Sequence, residues 1–183
     1  MPLTAKHTIH KAHGHFGWDN SFPPVKTVAP GEVVEFETTD ASGGQLTPSS
    51  SVEGVATLDF GQINPVTGPI YIDGAKPGDA LKVTIGEIAS SGWGWTANIP
   101  GFGLLADDFP DPALHLWSFD SSGREPASYG PAGRVPLKPM CGTIGVAPAA
   151  AGLHSIVPPR NVGGNMDVRD LAEGTELYLP VEV

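Results

Sequence analysis

The chain has 183 residues, with 20 acidic against 10 basic side chains and a formal net charge of −10. That balance excludes nucleic acid and anionic membrane surfaces as partners, since both require concentrated positive charge. With 24 Gly and 19 Pro, nearly every uninterrupted stretch is too short for a helical bundle. Hydrophobic residues at 40% against 16% charged argue for a folded core rather than an acidic disordered chain. Cys141 is the single cysteine, which excludes an internal disulfide and a cysteine zinc cage. The start, Met-Pro-Leu-Thr-Ala-Lys-His, has no apolar signal-peptide core, and no stretch reaches the roughly 20 apolar residues of a membrane span. The expectation is a cytoplasmic protein whose residues 1–183 form one β-rich domain.

In chain order, His7, His10 and His13 fall on an exposed N-terminal strand. Pro30-Gly31 makes a turn before Glu32–Thr38, where Val34, Phe36 and Thr38 share one face. Asp40 to Val55 reads as a long polar loop. Ile70–Ile72 is a short strand, followed by Pro77-Gly78, the central pair of a type II turn. Leu81, Val83 and Ile85 alternate with polar neighbours. Ser90 to Pro112 is a second long loop, the kind of segment in which sites are often built. Leu114–Trp117 and Thr143–Val146 are short strands. Asp170 to Glu173 is a helical turn stopped by Gly174. Leu177–Val183 alternates again, with Pro180 marking an edge. The fold class is all-β and mainly antiparallel, a β-sandwich or jelly-roll-like architecture with long loops and little helix.

Two groups of residues could carry chemistry. His13, His15 and Asp19 offer imidazole and carboxylate ligands of the kind zinc takes, and His15 is better placed because aromatic neighbours desolvate it. The alternative is a surface histidine without a role. Asn165 and Asp167, two residues apart after Gly163-Gly164, face one side if the chain is extended. Such a pair suits a cation or a substrate amide; alternatively both side chains bond the local backbone in a turn. Cys141 is read as a small buried apolar residue rather than a nucleophile. Trp93, Trp95 and Trp117 are read as buried, with a pocket lining as the alternative.

An ordered set of motifs adds to this reading. It comprises His15-Phe16-Gly17-Trp18-Asp19-Asn20 with Pro23-Pro24, Asp40-Ala41-Ser42-Gly43-Gly44-Gln45 and Asn64-Pro65-Val66-Thr67-Gly68-Pro69. Gly74-Ala75-Lys76-Pro77-Gly78-Asp79, Pro100-Gly101-Phe102-Gly103-Leu104-Leu105 and Gly142-Thr143-Ile144-Gly145-Val146-Ala147-Pro148 follow. Gly163-Gly164-Asn165-Met166-Asp167 and Leu177-Tyr178-Leu179-Pro180-Val181 complete it. Over essentially its whole length the sequence resembles the acetamidase/formamidase family.

The resemblance implies hydrolysis of a small aliphatic amide, formamide or acetamide, to ammonia and a carboxylate. It implies a site assisted by a divalent metal, with zinc the leading candidate, that polarises the amide carbonyl and activates a bound water. Asn165 and Asp167 become the catalytic residues; Asp167, His15 and Asp19 become metal ligands; Gln45 and Trp18 line the substrate pocket. Family members continue past the strand that ends here at Val183, through a Gly-, Asp- and His-containing stretch and a Gly-Asp-Gly-Glu run. The expectation is an N-terminal portion that is truncated, cleaved or split, with its site completed by a C-terminal partner fragment. A homo-oligomer is the other assembly expected, and Leu177–Val183 is expected to pair with the absent segment. A reading of a different class is a non-catalytic β-sandwich that binds a small polar ligand through the Trp93/Trp95 loop or serves as an assembly module.

Overall fold

The computed structural model describes residues 4–122 and 124–183. The chain is mostly short strands: β1 (His7–Ile9), β2 (Gly14–His15), β3 (Lys26–Val28), β4 (Val34–Phe36), β5 (Val66–Thr67), β6 (Ile70–Ile72) and β7 (Ala80–Thr84). The second half adds β8 (Trp93–Asn98), β9 (Ala113–Ser118), β10 (Ala127–Tyr129), β11 (Gly133–Val135), β12 (Thr143–Gly145), β13 (Gly163–Asn165) and β14 (Glu176–Pro180). Among the described residues the one α-helix is α1 (Val52–Ala56). No helix among them is long and apolar enough to cross a membrane.

These strands form seven two-stranded ribbons. β1–β4 and β3–β6 are parallel; β2–β5, β7–β14, β8–β9, β10–β11 and β12–β13 are antiparallel. A lone ribbon is marginal in water, so the ribbons depend on side chains between them. Those come from scattered positions, including Ile9, Val28, Leu46, Val55, Ile85, Ile156, Val162 and Leu179, all buried. β9 lies against both β10 and α1.

The β7–β14 pair shows how sequence sets register. Leu81 faces Leu179 and Val83 faces Leu177 on one side, while Lys82 faces Tyr178 on the other. Lys82 Nζ reaches Glu176 Oε1 at 2.9 Å, so apolar and charged cross-strand pairs select the same alignment. Pro180 closes the ladder opposite Ala80, and the Val181 N–H resumes bonding with the Asp79 carbonyl at 2.9 Å. The turn leading into β7 has the expected form: Asp79 N–H bonds Lys76 O at 3.0 Å, and Gly78 has φ +96°.

Leu177–Val183 pairs through its first part with β7 on one edge, and among the described residues no strand pairs with the other edge of β14. Three expectations are corrected. The helix lies at Val52–Ala56, at the end of the segment read as a polar loop and one residue past it, whereas Asp170–Glu173 forms only turns, closed by Leu171 N–H to Val168 O and Thr175 N–H to Ala172 O. His7 is not a simple surface residue: its Nε2 lies 2.8 Å from Glu32 Oε2. The long loop after Ser90 contains β8, paired with β9 along its whole length. Gly94 gave β8 the look of a loop, yet it sits in a regular strand where an added Cβ would make ordinary contact with the Phe119 ring at 3.4 Å.

Candidate functional site

The motif at residues 15–20 is anchored on a distant part of the chain. Trp18 and His154 exchange two backbone hydrogen bonds, each of 2.9 Å, and Asn20 Nδ2 donates to Pro148 O at 2.9 Å. Gly17 is tight against Leu153, whose Cδ1 would lie 2.2 Å from an added Cβ. Trp18 itself is buried. Its ring reaches β12, since a Cβ at Gly145 would meet Trp18 Cη2 at 3.1 Å.

His15 has a fixed tautomer. Nδ1 donates to the Gly17 carbonyl at 2.8 Å, which leaves Nε2 with its lone pair available. The ring meets Phe22 edge-on, with centroids 5.0 Å apart. Burial holds the imidazole below its ordinary pKa, against the opposing effect of the Gly17 carbonyl, so His15 is neutral at pH 7. It lines a shallow cleft of about 200 Å³ with Phe22, Pro23 and Pro69. Asp19 turns aside: its Oδ1 accepts the Ser21 N–H at 2.8 Å. The Ser21 hydroxyl and N–H together hold that carboxyl below the usual range, with His154 adding to the effect.

The β12–β13 ribbon presents the second group. Thr143 pairs with Asn165 in register, and the Thr143 hydroxyl donates to Asn165 Oδ1 at 2.8 Å. That bond assigns the amide orientation and leaves the Nδ2 donors directed elsewhere. Gly163 and Gly164 have φ +98° and +127°; a Cβ at Gly163 would stand 2.4 Å from Ile144 O. Glycine is required by how closely β12 approaches.

Asn165 and Asp167 do not share the face of an extended strand. β13 ends at Asn165, and Asp167 is left-handed at φ +51°, held by its N–H to Gly142 O at 3.1 Å. The local-turn alternative fails for Asn165, which bonds across the ribbon instead. The exposed Asp167 carboxylate accepts no hydrogen bond and forms no ion pair among the described residues; its Oδ1 lies beside Gly142, 3.2 Å from where a Cβ would be.

Gln45 is engaged as a strut. Its Oε1 accepts from Asp59 N–H at 2.7 Å, and its Nε2 donates to Ser42 O at 2.8 Å and Asp59 O at 3.1 Å. The centre of this loop is Asp40, which sequence reading passed over. Its Oδ1 accepts the Ser42 N–H at 2.9 Å and the Trp95 indole N–H at 3.0 Å, and its Oδ2 accepts the Gly44 N–H at 3.1 Å. The Asp-x-Ser-Gly-Gly spacing was the available signal. A Cβ at Gly43 would be 3.3 Å from the Phe16 ring, so this loop adjoins the 15–20 motif.

Four motifs are therefore linked in space: 40–45 to Phe16, Trp18 to Gly145, and Gly142–Gly145 to Gly163–Asp167. Trp18 Nε1 is buried without a hydrogen-bond partner among the described residues. His15, Asp19 and Asp167 are not gathered into one ligand group: among the described residues no three His, Cys, Asp or Glu side chains are placed to hold a metal. Cys141 is half-buried and burial raises its pKa, which keeps it a thiol.

Comparison with known proteins agrees with these motifs. The Acetamidase/Formamidase family model matches residues 2–156. The chain is 27% identical to a formamidase of Methylophilus methylotrophus over an alignment 222 positions long, covering 92% of this chain and 54% of that protein. It is 28% identical to an acetamidase of Mycolicibacterium smegmatis, covering 93% of this chain and 56% of the relative. The crystal structure of a predicted acetamidase/formamidase from Thermoanaerobacter tengcongensis superposes with a TM-score of 0.88 at 34% identity, covering 98% of this chain and 57% of that one. The chain thus spans little more than half the length of these relatives, and it belongs to the acetamidase/formamidase family.

Proposed function

We propose that this chain supplies part of the active site of an amide hydrolase that releases ammonia and a carboxylate from a small aliphatic amide such as formamide or acetamide. The family match, with relatives named formamidase and acetamidase, carries this reading.

In this proposal Asn165 and Asp167 act on the substrate. With Asn165 Oδ1 occupied by the Thr143 hydroxyl, the Nδ2 donors serve the substrate carbonyl oxygen and favour charge that develops on it. The Asp167 carboxylate accepts a proton from the attacking water, or orients that water. Trp18 fixes the floor on which both motifs rest, and its indole N–H is an unspent donor among the described residues. Gln45, whose amide is engaged at both ends, shapes the neighbouring loop.

A divalent metal, with zinc the first candidate, belongs to the same proposal. His15 fits as an imidazole ligand because Nδ1 is tied to Gly17 O and Nε2 is free. Asp167 and Asp19 are alternative carboxylate ligands rather than members of one shell, since the three are not gathered around a common point among the described residues, and a complete shell would need further ligands. The two-layer sandwich expected from sequence belongs to the same assembly, with added strands extending the ribbons.

The test is ammonia release from formamide and acetamide by this chain together with the remainder of the family fold. Turnover that is lost in Asp167→Ala, and reduced by a chelator and restored by Zn²⁺, supports the assignment. Unchanged turnover in Asp167→Ala removes Asp167 from the chemistry, and indifference to chelation removes the metal.

A further inference from the structure

The chain exposes 11263 Å², about a third more than the roughly 8,400 Å² of a compact monomer of its 19.0 kDa mass. Part of that excess is concentrated on one built feature. The loop 99–112 between β8 and β9 exposes Phe102 (56%), Leu104 (104%), Leu105 (59%) and Phe109 (57%), and Phe60 (45%) lies next to it. The Phe60 and Phe102 rings are 5.5 Å apart.

The loop is shaped rather than slack. Asn98 Nδ2 staples its base through Phe109 O at 2.8 Å and Asp111 O at 2.7 Å. Within it, Phe102 N–H bonds Ile99 O and Phe109 N–H bonds Leu105 O, both at 3.0 Å. An ordered loop that holds four large apolar side chains in water is a mark of an interaction surface.

We propose that this face, Phe60 with loop 99–112, is the docking surface for the polypeptide equivalent to the part of the family fold that this chain does not span. The relatives continue for more than two fifths of their length outside the matched region, enough chain to cover it. Charge argues against a second copy as occupant: the loop carries Asp107, Asp108 and Asp111 and no basic residue, so two copies meeting here would oppose like charges. The occupant presents an apolar surface bordered by Lys or Arg. This inference rests on family membership and not on the amide reaction.

The experiment uses as probe the region of the Thermoanaerobacter tengcongensis protein that lies outside the match, expressed as a separate polypeptide. Sedimentation and calorimetry of the mixture should give a one-to-one complex, and hydrogen exchange should show loop 99–112 protected on binding. Leu104→Asp with Leu105→Asp should weaken association at least tenfold while leaving the circular dichroism of the free chain unchanged, because both side chains are exposed. The proposal is overturned if no complex forms under conditions where the matched region of the Thermoanaerobacter protein does bind the probe. It is equally overturned by a complex in which 99–112 exchanges as in the free chain, or by self-association that protects this loop. None of these readouts depends on amide turnover.

Discussion

Thr143 donates its hydroxyl proton to Asn165 Oδ1 at 2.8 Å across the β12–β13 ribbon, so the orientation of one side chain is set by a residue on the neighbouring strand. Asn165 alone offers donors and an acceptor at either end of its amide; the threonine decides which end is spent.

Thr143→Val should therefore cost about 1 kcal/mol in urea unfolding, the usual worth of a hydrogen bond. With the Asn165 donors acting on developing charge as proposed, kcat of the assembled enzyme should fall while KM changes little. Thr143→Ser should restore both. A variant with lowered stability but unaltered kcat would confine the pair to a structural role.

Gly163→Ala should destabilise the chain by about 2–4 kcal/mol, since the new methyl meets Ile144 O and the left-handed backbone is strained. Gly101→Ala is the control: φ is +71° there too, but an added Cβ has open space. It should cost about 1 kcal/mol. Equilibrium denaturation of both variants separates steric conflict from backbone strain.

Gln45→Ala should lower stability by about 1 kcal/mol, because backbone groups of the 40–62 region lose hydrogen-bond partners that water can partly replace. KM for a small amide should stay within twofold of the parent. A large rise in KM with stability intact would return Gln45 to the pocket wall.

Burial holds the His15 pKa down, so its stabilising contribution has a definite sign. The unfolded chain binds the proton more readily, and stability is fully present above the ordinary histidine value. It is lost as pH falls through that value toward the folded one. NMR titration of the ring should show the depressed pKa, and His15→Phe should flatten this part of the stability profile.

Glu32 works over a lower window. Hydrogen bonds from Lys6 and then His7 pull its pKa down to about 2. Its contribution is present above the ordinary glutamate range and disappears as pH falls toward 2. Lys6→Met should raise the Glu32 pKa and move acid-induced loosening of the β1–β4 pair to higher pH, as read by hydrogen exchange at residues 7–9.

Legibility of the fold followed the locality of the forces. Leu81–Ile85 and the Pro77-Gly78 turn were readable because alternation and turn chemistry act within a few residues. Trp93–Asn98 was not, because its glycines read locally as loop while its partner strand, Ala113–Ser118, lies across a long connection. α1 was hidden by its brevity and its own glycine, Gly54. In the candidate site, the motifs containing His15, Asn165 and Asp167 were visible as residue types, yet the Thr143 bond and the left-handed turn at Asp167 depend on the neighbouring strand. Gln45 shows the converse: a polar residue in a polar loop reads as a pocket lining until the backbone groups it serves are placed around it.

The contact between Trp18 and Gly145 has a consequence for how this chain can vary. A Cβ at position 145 would stand 3.0 Å from Val162 O, 3.1 Å from Gly164 N and 3.1 Å from Trp18 Cη2, so the backbone of the facing segment and the indole crowd it together. A smaller ring at 18 relieves one of these three contacts and leaves the backbone ones in place. Gly145→Ala and Trp18→Phe should each weaken the fold, and the double variant should recover only a small part of the loss at 145.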